Sequence, residues 1–306
     1  MLKLKYSFLL FLVPAFIQAQ PDDLTKLMEE QMASEPVTDY TSATFKTTRL
    51  INAHTNEQVA GGVLDMRISH RFGAINSGIQ NFFGLDQAGM RVALEYGIFD
   101  WLMVGGGRST YEKTYDSFLK AKLMRQSTGA RSRPLSINYF AAWQTKTIPF
   151  ADPNRTNYFT SNFFFVHQLI IARKFNESIS LMLAPTLVHR NLVATTKDPH
   201  DLFSVVAGGR IKLTRRMSLN AEYIYQLPGS QDDGTTNSFS LGFDLETGGH
   251  VFQFSFTNSP AMIERAFIHE TRGSWGKGDI ITGFNLSRVF TLKDPRTRGK
   301  KKSESW

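Results

Sequence analysis

From Asn237 to Thr257 apolar and polar residues alternate in two runs separated by a glycine pair. Phe239, Leu241, Phe243 and Leu245 are out of phase with Ser240, Gly242, Asp244 and Glu246. After Thr247-Gly-Gly-His250 the alternation resumes, with Phe252, Phe254 and Phe256 against Gln253, Ser255 and Thr257. A period of two sends successive side chains to opposite faces of a strand, and a Gly-Gly pair supplies the positive φ angles of a two-residue hairpin turn. If Thr247 faces His250, then Leu245 faces Phe252, Phe243 faces Phe254 and Leu241 faces Phe256. The hairpin has one aromatic face and one polar face. In a soluble sandwich the aromatic face is core; in a transmembrane barrel it meets lipid, and Asp244 and Glu246 point into the lumen.

The rest of the chain favours the barrel. Leu64, Met66 and Ile68 alternate with Asp65, Arg67 and Ser69; Met90, Val92, Leu94 and Tyr96 with Arg91, Ala93 and Glu95; Leu119, Ala121 and Leu123 with Lys120 and Lys122. Further strands are expected over Trp101–Arg108, Ser136–Thr145, Ser180–Val188, Phe203–Leu213, Met217–Leu227 and Ile280–Leu292, with a long one of ambiguous phase over Asn157–Lys174. The tight turns at Phe175–Ser178, Thr214–Arg216 and Thr247–His250 alternate with long loops at His189–Asp201, Pro228–Thr236 and Ser259–Gly278. Short turns at one rim and long loops at the other suit an outer-membrane barrel with its short rim in the periplasm. Carried back along the chain, this parity gives an all-β, antiparallel transmembrane barrel of about 12 strands over residues 61–292, with 14 as the alternative. A weakly patterned strand at Thr44–Asn52 would make the count odd and is assigned to the N-terminal segment.

The two ends are of different character. Residues 1–19 read as a cleaved signal peptide: Lys3 and Lys5, an apolar run from Tyr6 to Phe16, then Gln18-Ala19 before the cut. An uncleaved anchor is the alternative. Residues 20–60 form an N-terminal segment with a short helix over Asp22–Met32, packed on the barrel or in its mouth, or else a disordered leader. Residues 293–306 are a basic tail. The net charge of +8 is largely carried by the signal and this tail, and the body between them stands at about +2, which removes the basis for nucleic-acid binding. The chain has no cysteine, hence no disulfide and no lipoprotein anchor at residue 20. After the signal no stretch is long and apolar enough for a membrane helix, so membrane insertion requires a barrel.

The segments Ile68-Ser-His-Arg-Phe-Gly73, Phe83-Gly-Leu-Asp-Gln87, Arg125-Gln-Ser-Thr-Gly129, Pro185-Thr-Leu-Val-His-Arg-Asn191 and Glu246-Thr-Gly-Gly-His-Val-Phe-Gln253 resemble an uncharacterised family of envelope β-barrels from Gram-negative bacteria. The resemblance spans residues 40–292. It implies the fold and the outer-membrane location, and assigns no activity to any residue.

Candidate chemistry is confined to two places. The lumen face is expected to carry Arg67, Arg91, Lys120, Lys122, Arg210 and Lys212 against Asp65, Glu95, Glu222, Asp244 and Glu246. This is either a plug of ion pairs in a structural or assembly barrel, or the lining of a narrow or gated pore for a small solute. Outer loops are unusually apolar. Ile79, Phe82, Phe83 and Leu85 follow the first wall strand, and Met262, Ile263 and Phe267 lie on a helical loop that precedes the last. The two loops are neighbours in a closed barrel and are expected to pack together as a lid, over a site that would suit a lipophilic solute. No metal and no cofactor is called for: the seven histidines include no ligand-spaced pair. An enzyme is not expected. Ser69 and His70 are adjacent, so they face opposite ways and cannot form a lipase dyad. Outer-membrane lipid and the barrel assembly machinery are the expected partners.

Overall fold

The computed structural model describes residues 37–150 and 152–293. The expected helix at Asp22–Met32, the signal segment and the tail beyond Lys293 lie outside them. Twelve antiparallel strands close into one barrel. In chain order the strands are β1 (Thr38–Tyr40), β2 (Val63–Ala74), β3 (Gly89–Phe99), β4 (Leu102–Ser109), β5 (Tyr115–Met124), β6 (Ser127–Gly129), β7 (Ser136–Thr145), β8 (Phe163–Lys174), β9 (Ile179–Arg190), β10 (Asp201–Lys212), β11 (Met217–Gln226), β12 (Ser238–Thr247), β13 (His250–Thr257) and β14 (Ile281–Thr291). β1 and β6 pair apart from the wall, and the other twelve form it, closed by β14 on β2. One helix, α1 (Glu264–His269), lies in the last long loop.

The hairpin register follows from the sequence pattern. Thr247 faces His250, Leu245 faces Phe252, Phe243 faces Phe254 and Leu241 faces Phe256. Gly248 and Gly249 adopt φ of 46° and 99° at the turn, which glycine reaches without a Cβ clash. Phe243 and Phe254 stack with ring centroids 5.1 Å apart on the outer face. Asp244 points inward, where it accepts hydrogen bonds from Ser218 Oγ (3.0 Å) and Gln253 Nε2 (2.9 Å). The wall alternates in this way almost throughout, with lipid-facing Leu, Phe, Val and Tyr outside.

Turns between β3 and β4, β8 and β9, β10 and β11, and β12 and β13 are tight, and they share one rim with the start of β2 and the end of β14. Long connections, including α1, occupy the other rim. The connection from β5 to β7 also falls at the tight-turn rim; it carries β6, which pairs with β1. Thr44–Asn52 is not a strand. It runs as a chain of bends with one isolated bridge, Arg49 to His54, and it lies inside the barrel. The period-two pattern there was weak because no neighbouring strand supplies a ladder for it.

Phe243→Lys and Phe254→Lys should each impair insertion, because a Lys at lipid mid-depth costs about 2–4 kcal/mol. Heat-modifiable gel mobility of the membrane fraction reads this; normal folding of both variants would place the aromatic face away from lipid. Since β14 ends at Thr291, deletion of residues 296–306 should leave insertion unchanged in the same assay.

Candidate functional site

The lumen is filled by a segment that belongs to neither rim's loops. Residues 43–60 enter from the tight-turn rim, turn near mid-barrel and return to the start of β2. The turn is a small hairpin: Leu50 N–H donates to Ala53 O and Thr55 N–H to Thr48 O, both at 2.9 Å. A peptide in irregular conformation has few backbone partners of its own, and buried N–H and C=O groups without partners are costly. Here the wall's inward side chains supply the partners.

Glu222 of β11 does the most. Its Oε2 accepts the N–H of Ile51 (3.4 Å), Asn52 (3.1 Å) and Ala53 (2.9 Å). Carbonyls of the same hairpin are taken by donors from other strands. Gln253 Nε2 donates to Leu50 O at 2.8 Å, and Asn285 Nδ2 to Ile51 O at 2.9 Å. Asn138 Nδ2 donates to Asn56 O at 3.0 Å. Lys120 Nζ meets three carbonyls: Glu57 O (2.6 Å), Thr55 O (3.1 Å) and Thr48 O (3.3 Å). Arg210 Nη1 holds Ala43 O and Thr44 O, each at 3.0 Å, and Lys46 pairs with Glu246 at the rim. Seven strands, β5, β7 and β10–β14, therefore grip the segment through their side chains.

Apolar contacts set its rotation. The inward faces of β8–β10 are largely apolar, and their Val166, Ile170, Met182 and Val206, with Phe140 of β7 and Ile224 of β11, form one cluster with Phe45, Leu50 and Ala53 of the plug. Gly208 and Gly242 make the room. A Cβ on Gly208 would lie 2.5 Å from Leu50 Cδ2, and one on Gly242 would lie 3.3 Å from Ile51 Cδ1. Strands of a half-polar barrel carry glycine where another backbone or side chain must come close.

From the long-loop rim, α1 descends to meet this hairpin. Arg49 Nη2 of the plug lies 2.8 Å from Glu264 Oε1 of α1, and His54 Nε2 lies 3.5 Å from the same oxygen. Gln144 of β7 donates to the other Glu264 oxygen. Arg265 beside it is buried over the Phe164 ring, 4.3 Å from the centroid, and pairs with Glu112 and Glu270. Two segments from opposite ends of the barrel thus share one buried carboxyl.

All eleven expected lumen residues face inward, though not equally. Asp65, Arg67, Arg91, Glu95, Lys120, Arg210, Glu222 and Asp244 are buried, whereas Lys122, Lys212 and Glu246 are half-buried near the tight-turn rim. They do not simply pair with one another. Arg67 approaches Asp65 (3.4 Å) and Glu95 (3.8 Å), but Arg91 pairs with Asp116, and Lys120, Arg210 and Glu222 spend their bonds on the plug's backbone. Arg71 and Asp116 also face the lumen and were reachable from strand parity, two residues beyond Ser69 and four before Lys120. Arg49, Glu264 and Arg265 were not, since nothing in a loop's local pattern shows that it enters a lumen.

The expected lid is corrected. Ile79, Phe82, Phe83 and Leu85 are 77, 59, 48 and 42 % exposed, while Met262, Ile263 and Phe267 are 4, 0 and 0 % exposed. The second loop turns into the barrel, where Phe267 joins the inner apolar cluster, and the first stays outside. Across the seam the two loops meet through polar groups, Asn76 Nδ2 donating to Asp279 Oδ1 (2.7 Å) and to Lys277 O (3.2 Å), and their apolar side chains do not pack on each other. Ser69 faces the lumen, and His70 stacks outside on Phe284 at 5.2 Å between centroids. Among the described residues no group of three or more acidic, His or Cys side chains is placed to hold a metal.

The chain belongs to the family described as membrane bound beta barrel domain (DUF5777), whose model matches residues 45–290. The resemblance read from the sequence is borne out, and the match begins inside the plug. No curated protein matches the chain. Among solved structures it is similar to a NanC porin (TM-score 0.46, 5% identity, 74% of this chain and 98% of that one) and to a KdgM porin (TM-score 0.44, 8% identity, 74% and 99%). It is also similar to the Acinetobacter baumannii outer membrane protein Omp33 (TM-score 0.37, 7% identity, 74% and 97%).

Glu222→Ala should loosen the hairpin tip without opening the wall. Hydrogen bonds to a charged group each contribute roughly 1.5–3 kcal/mol, so amide exchange at Ile51, Asn52 and Ala53 should accelerate on the order of tenfold to a hundredfold. Exchange followed by mass spectrometry reads it. Unchanged protection of the peptide covering these residues would mean that Glu222 does not anchor the plug.

Proposed function

We propose that this membrane-bound β-barrel is an outer-membrane pore for a small solute and that residues 43–60 are its gate. One observation carries the reading: what blocks the lumen is a separate hairpin, held to the wall chiefly by polar side chains. Water and a polar wall can exchange such partners at small net cost, because a hydrogen bond lost to protein is regained with solvent. A core-like plug would have to expose its whole apolar surface instead. With the hairpin displaced, the lumen presents a charged and polar arc on β2, β3, β5 and β11–β14 and a largely apolar one on β8–β10, a lining suited to a solute with both polar and apolar faces.

The location follows the same reading. Residues 1–19 would direct export and be removed, the assembly machinery would insert the barrel, and the tight-turn rim would face the periplasm. That rim is the side from which the plug enters. Opening therefore starts from the periplasm, while the outer end of the path is closed by α1 on the shared Glu264. The alternative, a permanently plugged structural barrel, makes the opposite forecast for conductance.

Planar bilayers decide between them. The full chain should be closed with rare openings, and a chain that lacks residues 43–60 and carries a short turn in place of residues 260–277 should show sustained steps, because either insert alone still fills part of the lumen. A Leu50→Cys, Gly208→Cys pair, joining plug to wall, should abolish openings when oxidised and restore them on reduction. A folded deletion variant that stays silent would rule out the pore.

A further inference from the structure

The outer surface has a depression of about 660 Å³ at β9–β11, near the tight-turn rim. Its floor is Ala207, Gly209 and Ala221, small residues facing outward, and its sides are Leu181, Leu183, Tyr223 and Phe239. Register places these residues in two tiers. Arg173, Leu181, Gly209 and Ala221 lie in the tier nearer the rim, and Leu183, Ala207, Tyr223 and Phe239 in the one above it. At the rim end the lining changes character: Arg173 closes the groove, exposed, with its guanidinium 5.0 Å from the Phe175 ring. No carboxylate pairs with Arg173 among the described residues.

The rim beneath is basic. The connections from β5 to β7, β8 to β9 and β10 to β11, with the strand ends that flank them, carry Arg125, Arg131, Arg133, Arg173, Arg215 and Arg216, and the one acid in those turns is Glu177. Glu177 is claimed by Lys174 at 2.8 Å, and that hydrogen bond holds its carboxyl below the usual range. An apolar trough whose polar end carries an unpaired cation, on the lipid-facing side of a membrane barrel, matches a two-part ligand. Apolar area is favourable to cover, and a basic residue at a membrane surface attracts anionic headgroups. An Arg at the end of an apolar stretch also extends its charge to the headgroup level.

We infer that this groove binds one anionic phospholipid of the leaflet at the tight-turn rim, an acyl chain lying over Gly209 and Ala221 and the phosphate on Arg173. The inference rests on the lipid-facing reading of the outer wall and not on the gate. The lipid would cover the thinnest part of the wall, where inward-facing Gly208, Met182 and Glu222 also border the groove.

Native mass spectrometry of the full chain in a non-ionic detergent tests it, with dioleoyl phosphatidylglycerol and dioleoyl phosphatidylcholine as probes. The phosphatidylglycerol adduct should form as a single species and about fivefold more tightly, the ratio expected for one basic residue at an anionic headgroup. Arg173→Ala changes an exposed side chain and should bring the two lipids level. Ala221→Leu fills the trough and should remove the adduct for both; Ala207→Leu does the same one tier higher if the first variant does not fold. Equal binding of both lipids by the natural chain, or an undiminished adduct in a folded trough-filling variant, overturns the inference. So does a lipid-free dimer that Ala221→Leu dissolves, because the groove would then hold a second copy. The chain lacking residues 43–60 should keep the adduct, so a silent pore and an empty groove are separate outcomes.

Discussion

Everything inside this barrel follows from the need to satisfy an irregular backbone away from water. A strand in the wall finds its hydrogen bonds in its neighbours, but residues 43–60 have no neighbour strand and must take partners from side chains. This explains why the lumen is rich in long polar residues that do not pair off among themselves. Lys120 turns three donors toward three carbonyls. Glu222 turns one oxygen toward three N–H groups. In an empty lumen these groups would need water or each other; around the hairpin each has a defined bond.

The same constraint gives the plug its two-ended character. The hairpin's tip cannot reach across the barrel, and the outer half of the lumen is filled instead by α1 and the residues before it. Where the two meet, Arg49 and Glu264 are both buried, at 3 and 1 % side-chain exposure. A buried pair of this kind contributes little net stability against its desolvation, but removing one partner leaves an uncompensated charge. Its effect is to couple the segments: either one can leave cheaply only if the other moves or water enters. In the proposed gate, release of the plug would therefore be tied to both ends of the barrel.

How much of this was legible in the sequence depended on whether a residue's partners were local. The hairpin at 237–257 and the inward parity of Asp65, Arg67 and Glu95 came directly from period-two alternation, because strand geometry ties a residue's face to its position, and the count of about twelve wall strands came from the parity of tight turns and long loops. β8 was ambiguous because both of its faces are apolar: Phe163, Phe165 and Leu169 face lipid, and Phe164, Val166 and Ile170 face the lumen. Thr44–Asn52 read as a poor strand since its side chains answer to wall residues scattered over the chain, from Arg67 and Arg71, each 19 positions from its partner, to Ser240 and Glu246, 188 and 200 positions away. The apolar loops stand out in the sequence as unusual and do meet at Asn76 and Asp279, but their apolar side chains part company. Phe267 found its cover in the lumen, which composition alone does not reveal, and Phe83 remained outside.

One dipeptide joins the inner and outer surfaces of the molecule. Gly208 and Gly209 are adjacent in β10 and so face opposite ways. Inside, the missing Cβ of Gly208 admits Leu50 of the plug; outside, that of Gly209 deepens the groove under Leu181. Facing them, β11 sets Glu222 inward and Ala221 outward at the paired positions. The wall is therefore thinnest where the plug is held hardest, and the strand pair that carries the hairpin's main anchor is also the one that shapes the lipid-facing groove. Neither role alone accounts for two consecutive glycines in a wall strand, where each weakens the strand by about 0.5–1 kcal/mol relative to alanine in regular structure. A side chain pressing on one face and a trough needed on the other account for both.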